Sequence, residues 1–218
     1  MRLHRLALAG LLVSVTALAV PTTGNAATPK NRTKAKKPAC TLKGAETIAK
    51  STFGRLLATH AEEDELYGES TELYACRTGY RPVLLIATGP GDSLDPGHVV
   101  FSPKYVGFST SFYSSSCSKY QPGGAECSGL GVSSYNTRTG DVRTTTSTPA
   151  AVDALAVSAQ GWLAWVTPAA PDGSRTVVAR NRLERVLAQG SIPPASLKAT
   201  DGTLRWTRDG TPESAPFA

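Results

Sequence analysis

Sulfur and imidazole are scarce in this chain: among 218 residues there are four cysteines, one methionine and three histidines. There is no phosphate-cradling Gly-x-x-x-x-Gly-Lys-Ser/Thr run, no dinucleotide fingerprint and no His-Glu-x-x-His, so the common nucleotide and zinc-protease chemistries have no footing. No Gly-x-Ser-x-Gly elbow marks one of the many serines as a nucleophile. No Cys-x-x-Cys or neighbouring pair of histidines offers a zinc site. The sequence therefore implies no cofactor, no metal and no catalytic set. It also lacks a second long apolar run after the first 20 residues, which excludes an integral membrane segment in the body of the chain.

What is present begins with an address. Arg2 and Arg5 precede an apolar stretch from Leu6 to Val20, and small residues follow up to Ala26 and Ala27. A basic start, an apolar middle and a small-residue exit predict a secretory signal peptide over 1–27, hence a secreted or extracytoplasmic protein. Lys30, Arg32, Lys34, Lys36 and Lys37 then crowd a polar stretch, 28–38, that has nothing to bury and reads as a basic disordered arm. The formal net charge is +6. Removing the seven positive charges of leader and arm leaves −1 from Pro38 onward, so the fold itself is expected to carry no nucleic-acid face.

In an oxidising compartment an even number of cysteines predicts disulfides. Cys117 and Cys127 flank a Pro122-Gly123-Gly124 turn and are expected to close that loop. Cys40 is then left to pair with Cys76.

Internal repetition is the strongest signal of architecture. The segments starting at Ile48, Val99, Leu155 and Leu197 share a short strand, a Ser or Thr, a tight turn and a second strand. Ser51, Ser102, Ser158 and Thr200 enter the turns, and Gly54, Gly161 and Gly202 sit in or after three of them. After three copies comes a further strand pair: 71–76 with 83–86, 130–135 with 142, and 176–179 with 185–187. The expected fold is all-β: tandem four-stranded antiparallel blade-like repeats over 39–210, a small or incomplete β-propeller, with a β-sandwich as the alternative. The fourth unit is expected to lack its outer strands, because Gly210 leads into a Pro-rich flexible tail, 211–218. Trp165 and Trp206 share a repeat position and are expected in the core, with Trp162 on the opposite, exposed face.

Ser158-Ala-Gln-Gly-Trp-Leu-Ala-Trp165, Ser102-Pro-Lys-Tyr-Val-Gly-Phe108 and Thr200-Asp-Gly-Thr-Leu-Arg-Trp206 resemble the repeat signature of TolB-like, WD40-like propeller proteins. The resemblance covers about residues 48–208. It implies a fold, not a chemistry. A non-enzymatic exported protein that binds a protein or a cell-envelope polymer is the leading functional expectation, with self-association through an open sheet edge as a corollary. The alternatives are a secreted hydrolase built on His98 or His60 with acidic partners, and a structural partner that completes a larger propeller.

Overall fold

The computed structural model describes residues 39–62, 69–89, 92–114, 127–200 and 202–217. The leader and basic arm, Cys117 with the loop it was expected to close, and most of the acidic run 62–65 lie outside these residues. Fifteen strands are described, arranged in four antiparallel sheets, each running in chain order from one edge to the other. The first contains β1 (Glu46–Lys50), β2 (Gly54–Glu62), β3 (Glu69–Arg77) and β4 (Val83–Ala87); the second β5 (Asp92–Phe101), β6 (Tyr105–Ser114), β7 (Cys127–Asn136) and β8 (Val142–Thr148). The third contains β9 (Ala154–Val157), β10 (Leu163–Val166), β11 (Arg175–Arg180) and β12 (Glu184–Gly190). The fourth has β13 (Lys198–Thr200), β14 (Thr203–Arg208) and β15 (Thr211–Pro216). These are the blade-like repeats that the spacing predicts.

Strand alternation sends successive side chains to opposite faces of each sheet, and the apolar ones meet between consecutive sheets. Leu56, Ala58, Leu73 and Ala75 of the first sheet pack with Val106, Phe108 and Tyr135 of the second. Val132 of the second packs with Leu155, Val157, Leu163, Trp165 and Val178 of the third. Ala164, Val166, Val177 and Ala179 of the third pack with Leu204, Trp206 and Phe217 of the fourth. Phe108, Trp165 and Trp206 occupy one repeat position, four residues after Lys104, Gly161 and Gly202 respectively. Each faces the preceding sheet and each is buried. Burying such a ring is worth roughly 2–3 kcal/mol, so one aromatic per interface is a large part of what holds the row together. Close approach is also required: a Cβ on Gly107 would stand 3.0 Å from Leu163 Cδ2.

Among the described residues no apolar cluster joins the fourth sheet back to the first. The far face of the first sheet combines the buried Leu57 and Cys76 with a polar cluster in which Thr59 Oγ1 and Tyr74 O–H both donate to Glu72 Oε2 at 3.1 and 2.7 Å. The Cys40–Cys76 disulfide, Cα–Cα 5.6 Å, pins the residues before β1 to this face. On the far face of the fourth sheet stand Arg205 and Thr207.

One expectation is corrected here. The segment after Gly210 is not a flexible tail through to its end: Thr211–Pro216 pairs with β14 along its whole length, giving the fourth unit a third strand. Asp209 and Gly210, with φ of 50° and 81°, form the two-residue turn, the left-handed pair that Asp-Gly adopts in tight hairpins. Asp209 accepts from Ser191 N–H and donates its own N–H to Ser191 O, both at 2.9 Å. Beyond β15, Phe217 is buried and donates its N–H to Gly202 O at 3.0 Å. Two prolines mislead at the sequence level, yet both fit an edge strand. Residues 211, 213 and 215 turn their backbone toward β14, so Pro212 and Pro216 fall where the N–H would face the open edge.

Candidate binding face at the turn end

The repeats place four short turns at the same end of the sheets. In three of them the entering hydroxyl does the work of a backbone group. Ser51 Oγ accepts from Phe53 N and Gly54 N at 3.1 and 3.2 Å. Ser102 Oγ accepts from Tyr105 N at 3.2 Å. Ser158 Oγ accepts from Gln160 N and Trp162 N at 3.2 and 3.0 Å. Neighbouring sheets are also fastened through these turns. Ser134 Oγ and Thr144 Oγ1, from the second sheet, both donate to Gly161 O of the third at 2.5 and 3.2 Å.

The four turns converge on one cleft of about 280 Å³, lined by Phe53 from the first unit, Phe101, Ser102 and Pro103 from the second, Val157, Ser158 and Ala159 from the third, and Ala199, Thr200 and Gly202 from the fourth. Phe53 is 41% exposed. Among the described residues that line this cleft none is ionisable, and the Ser102 and Ser158 hydroxyls are already committed to the turns. The described surface is therefore suited to receiving an apolar group with peptide-like neighbours.

The two histidines lie elsewhere and apart. His60 is on β2, with Nδ1 3.4 Å from Thr71 Oγ1 as its contact. His98 sits in the irregularity of β5 between Pro96 and Val99, exposed; its backbone N–H donates to Ser109 Oγ at 2.9 Å. Among the described residues neither imidazole meets a carboxylate; most of the acidic run that follows His60 lies outside them. A smaller cleft of about 170 Å³ beside β5 and β6 contains Asp95, Ser109, Thr110 and Ser111, but neither histidine.

Of the four cysteines, Cys40 and Cys76 are paired as expected. Cys117 is outside the described residues, and its expected link to Cys127 with it. Trp162, expected to be exposed, is only partly so: the Arg143 guanidinium lies 3.9 Å from its ring centroid, and Arg143 Nε donates to Gln160 O at 3.1 Å. Composition could not reveal that partner, which comes from the neighbouring sheet.

No protein-family model matches this chain, and no curated protein is similar to it. Among the described residues no helix is long and apolar enough to cross a membrane.

Proposed function

We propose that this chain is an exported, non-enzymatic binding protein of the TolB-like, WD40-like kind, which presents the turn end of its sheets to a protein or a cell-envelope component. One observation supports this reading above others: turns from four separate repeats meet at a single cleft whose described lining residues carry no charge, with an exposed aromatic, Phe53, on its rim. Exposed aromatics in a pocket assembled from several elements are the usual anchors of recognition. The signal-like N-terminus and the Cys40–Cys76 disulfide agree with an oxidising destination.

The test is capture from envelope extract by the immobilised chain, comparing wild type with Phe53→Ser. The expected result is an envelope component retained by the wild type and lost from a variant with an unchanged melting temperature. Equal retention by both would reject the cleft as the recognition site. Intact mass of the exported form should place its first residue near Ala27.

A further inference from the structure

The charge of this fold is near zero in sum, but it is sorted along the strands. At the turn end stand Arg77, Arg81, Lys104, Arg138, Arg143 and Arg182; the carboxylates there, among the described residues, are Asp141 and Glu184, and Glu184 is bonded to Arg180. Asp92, Asp95, Asp153, Asp172 and Asp209 lie toward the opposite end, where the cations are Arg175, Lys198 and Arg208, with Arg175 paired to Asp153 and Arg208 to Glu213. The basic end has a focus. A cleft of about 410 Å³ between the β3–β4 and β7–β8 turns is lined by Arg77, Lys104, Asn136, Thr137, Arg138 and Thr139, with no acid among them.

Two guanidiniums share one aromatic ring at this cleft. Arg77 Cζ lies 5.8 Å and Arg138 Cζ 5.7 Å from the ring centroid of Tyr80, so the two charges are no further apart than the sum of those distances. Neither has a carboxylate partner among the described residues, and neither does Lys104. Like charges held together without a counter-charge repel, and a bound anion removes the repulsion. The polar groups match. Asn136 Oδ1 is used in accepting from Arg138 N and Thr139 N at 2.9 and 3.4 Å, which leaves its amide donor to the cleft. Thr139 Oγ1 accepts from Asp141 N at 3.4 Å and keeps its own O–H to donate.

We infer that this cleft, at the same turn end proposed above as the binding face, is a site for the phosphate groups of an anionic chain. One guanidinium satisfies a carboxylate through two parallel hydrogen bonds. Three cations with additional neutral donors suit instead a group with several acceptor oxygens, and a phosphate provides them. Arg143, at the same end, lies over the Trp162 ring with its Nε bonded to Gln160 O, and its remaining N–H groups offer a further cation beyond the cleft to a linear chain of phosphates. The inference rests on the turn end being the binding end.

The test is titration of the full chain with inorganic polyphosphate by calorimetry at two salt concentrations. Residues 30–37 are themselves basic, so R77Q/R138Q is compared with K34Q/K36Q/K37Q in the same background. The expected result is at least about tenfold weaker binding for R77Q/R138Q, a shallower dependence on salt as fewer counterions are released, and an unchanged melting temperature. The triple variant should lose less. Vesicles containing phosphatidylglycerol form a parallel arm: binding to them rather than to polyphosphate, with the same sensitivity to R77Q/R138Q, assigns the phosphates to lipid headgroups and upholds the site. R77Q/R138Q binding within twofold of wild type overturns the inference, as does binding of neither probe. Tighter binding of a single-stranded oligonucleotide of equal charge overturns the choice of ligand. Phe53→Ser is expected to leave polyphosphate binding intact, so failure of the envelope capture and failure of this site register separately.

Discussion

Gly161 stands where three demands coincide, and replacing it with alanine measures them together. Its φ of +82° is left-handed, which costs an L-residue about 1–2 kcal/mol. Its added Cβ would lie 2.6 Å from Arg143 Cγ and 2.7 Å from Tyr105 Cδ1. The arginine stem can shift, but the Tyr105 ring is part of the packing between the second and third sheets, and overpacking there adds roughly 1–3 kcal/mol. Its carbonyl, moreover, accepts from Ser134 and Thr144, and a displaced turn weakens bonds worth about 1 kcal/mol each. The expected loss is about 3–4 kcal/mol, a large share of a typical stability of roughly 5–15 kcal/mol. Gly173 is the control: φ is +81° and nothing lies within 4 Å of its would-be Cβ. Gly173→Ala should cost about 1–2 kcal/mol, the backbone component alone. Urea unfolding followed by tryptophan fluorescence reads both, since Trp162 and Trp165 adjoin the turn. Equal losses for the two variants would mean that contact between the sheets contributes nothing at this turn, and the reasoning would fail.

Three further outcomes follow from the same packing. Replacing Cys40 and Cys76 by serine reopens a loop of 36 residues' separation and should lower stability by roughly 3–4 kcal/mol, read as a drop in the urea midpoint that reductant reproduces in the wild type. Burial of Tyr135 holds its phenol above its ordinary value, with a hydrogen bond from Ser133 pulling the other way. A folded-state value above the unfolded one gives stability that is full below about pH 10 and is lost as pH rises from the unfolded value through the folded one, so Tyr135→Phe should flatten the alkaline limb of a stability–pH curve. Changing Pro212 and Pro216 to valine restores two N–H groups on the open side of β15 and should promote self-association in sedimentation; a variant that stays monomeric at high concentration would show the edge to be blocked by something other than these prolines.

Much of the architecture was legible because it depends on spacing. Ser51, Ser102, Ser158 and Thr200 mark the turns, and the repeat position shared by Trp165 and Trp206 placed both rings between sheets; Phe108 completes the series. The third strand of the last unit was masked by chemistry that usually means the opposite. Pro212 and Pro216 read as breakers, yet Glu213, Ala215 and Phe217 alternate with them, and Glu213 accepts from Trp206 Nε1 at 2.8 Å. That period of two was the available signal. The basic cleft was illegible for another reason: Arg77, Lys104 and Arg138 come from distant stretches, and a net charge of −1 averages over a sorting that only the alternating direction of the strands creates. The partial cover over Trp162 has the same origin, since Arg143 belongs to a different repeat.

The apolar clusters each join one sheet to the next, so the chain is energetically a short row of coupled units. Its stability is then close to a sum of unit terms and nearest-neighbour terms. The two inner sheets are held from both sides and the two outer ones from a single side. The first outer sheet has a covalent clasp in Cys40–Cys76, whereas the fourth depends on the Trp206 and Phe217 side chains and the Asp209–Ser191 pair of hydrogen bonds. Amide exchange should accordingly be slowest in the two inner sheets and fastest in the fourth, and reduction of the disulfide should make the profile more nearly symmetric.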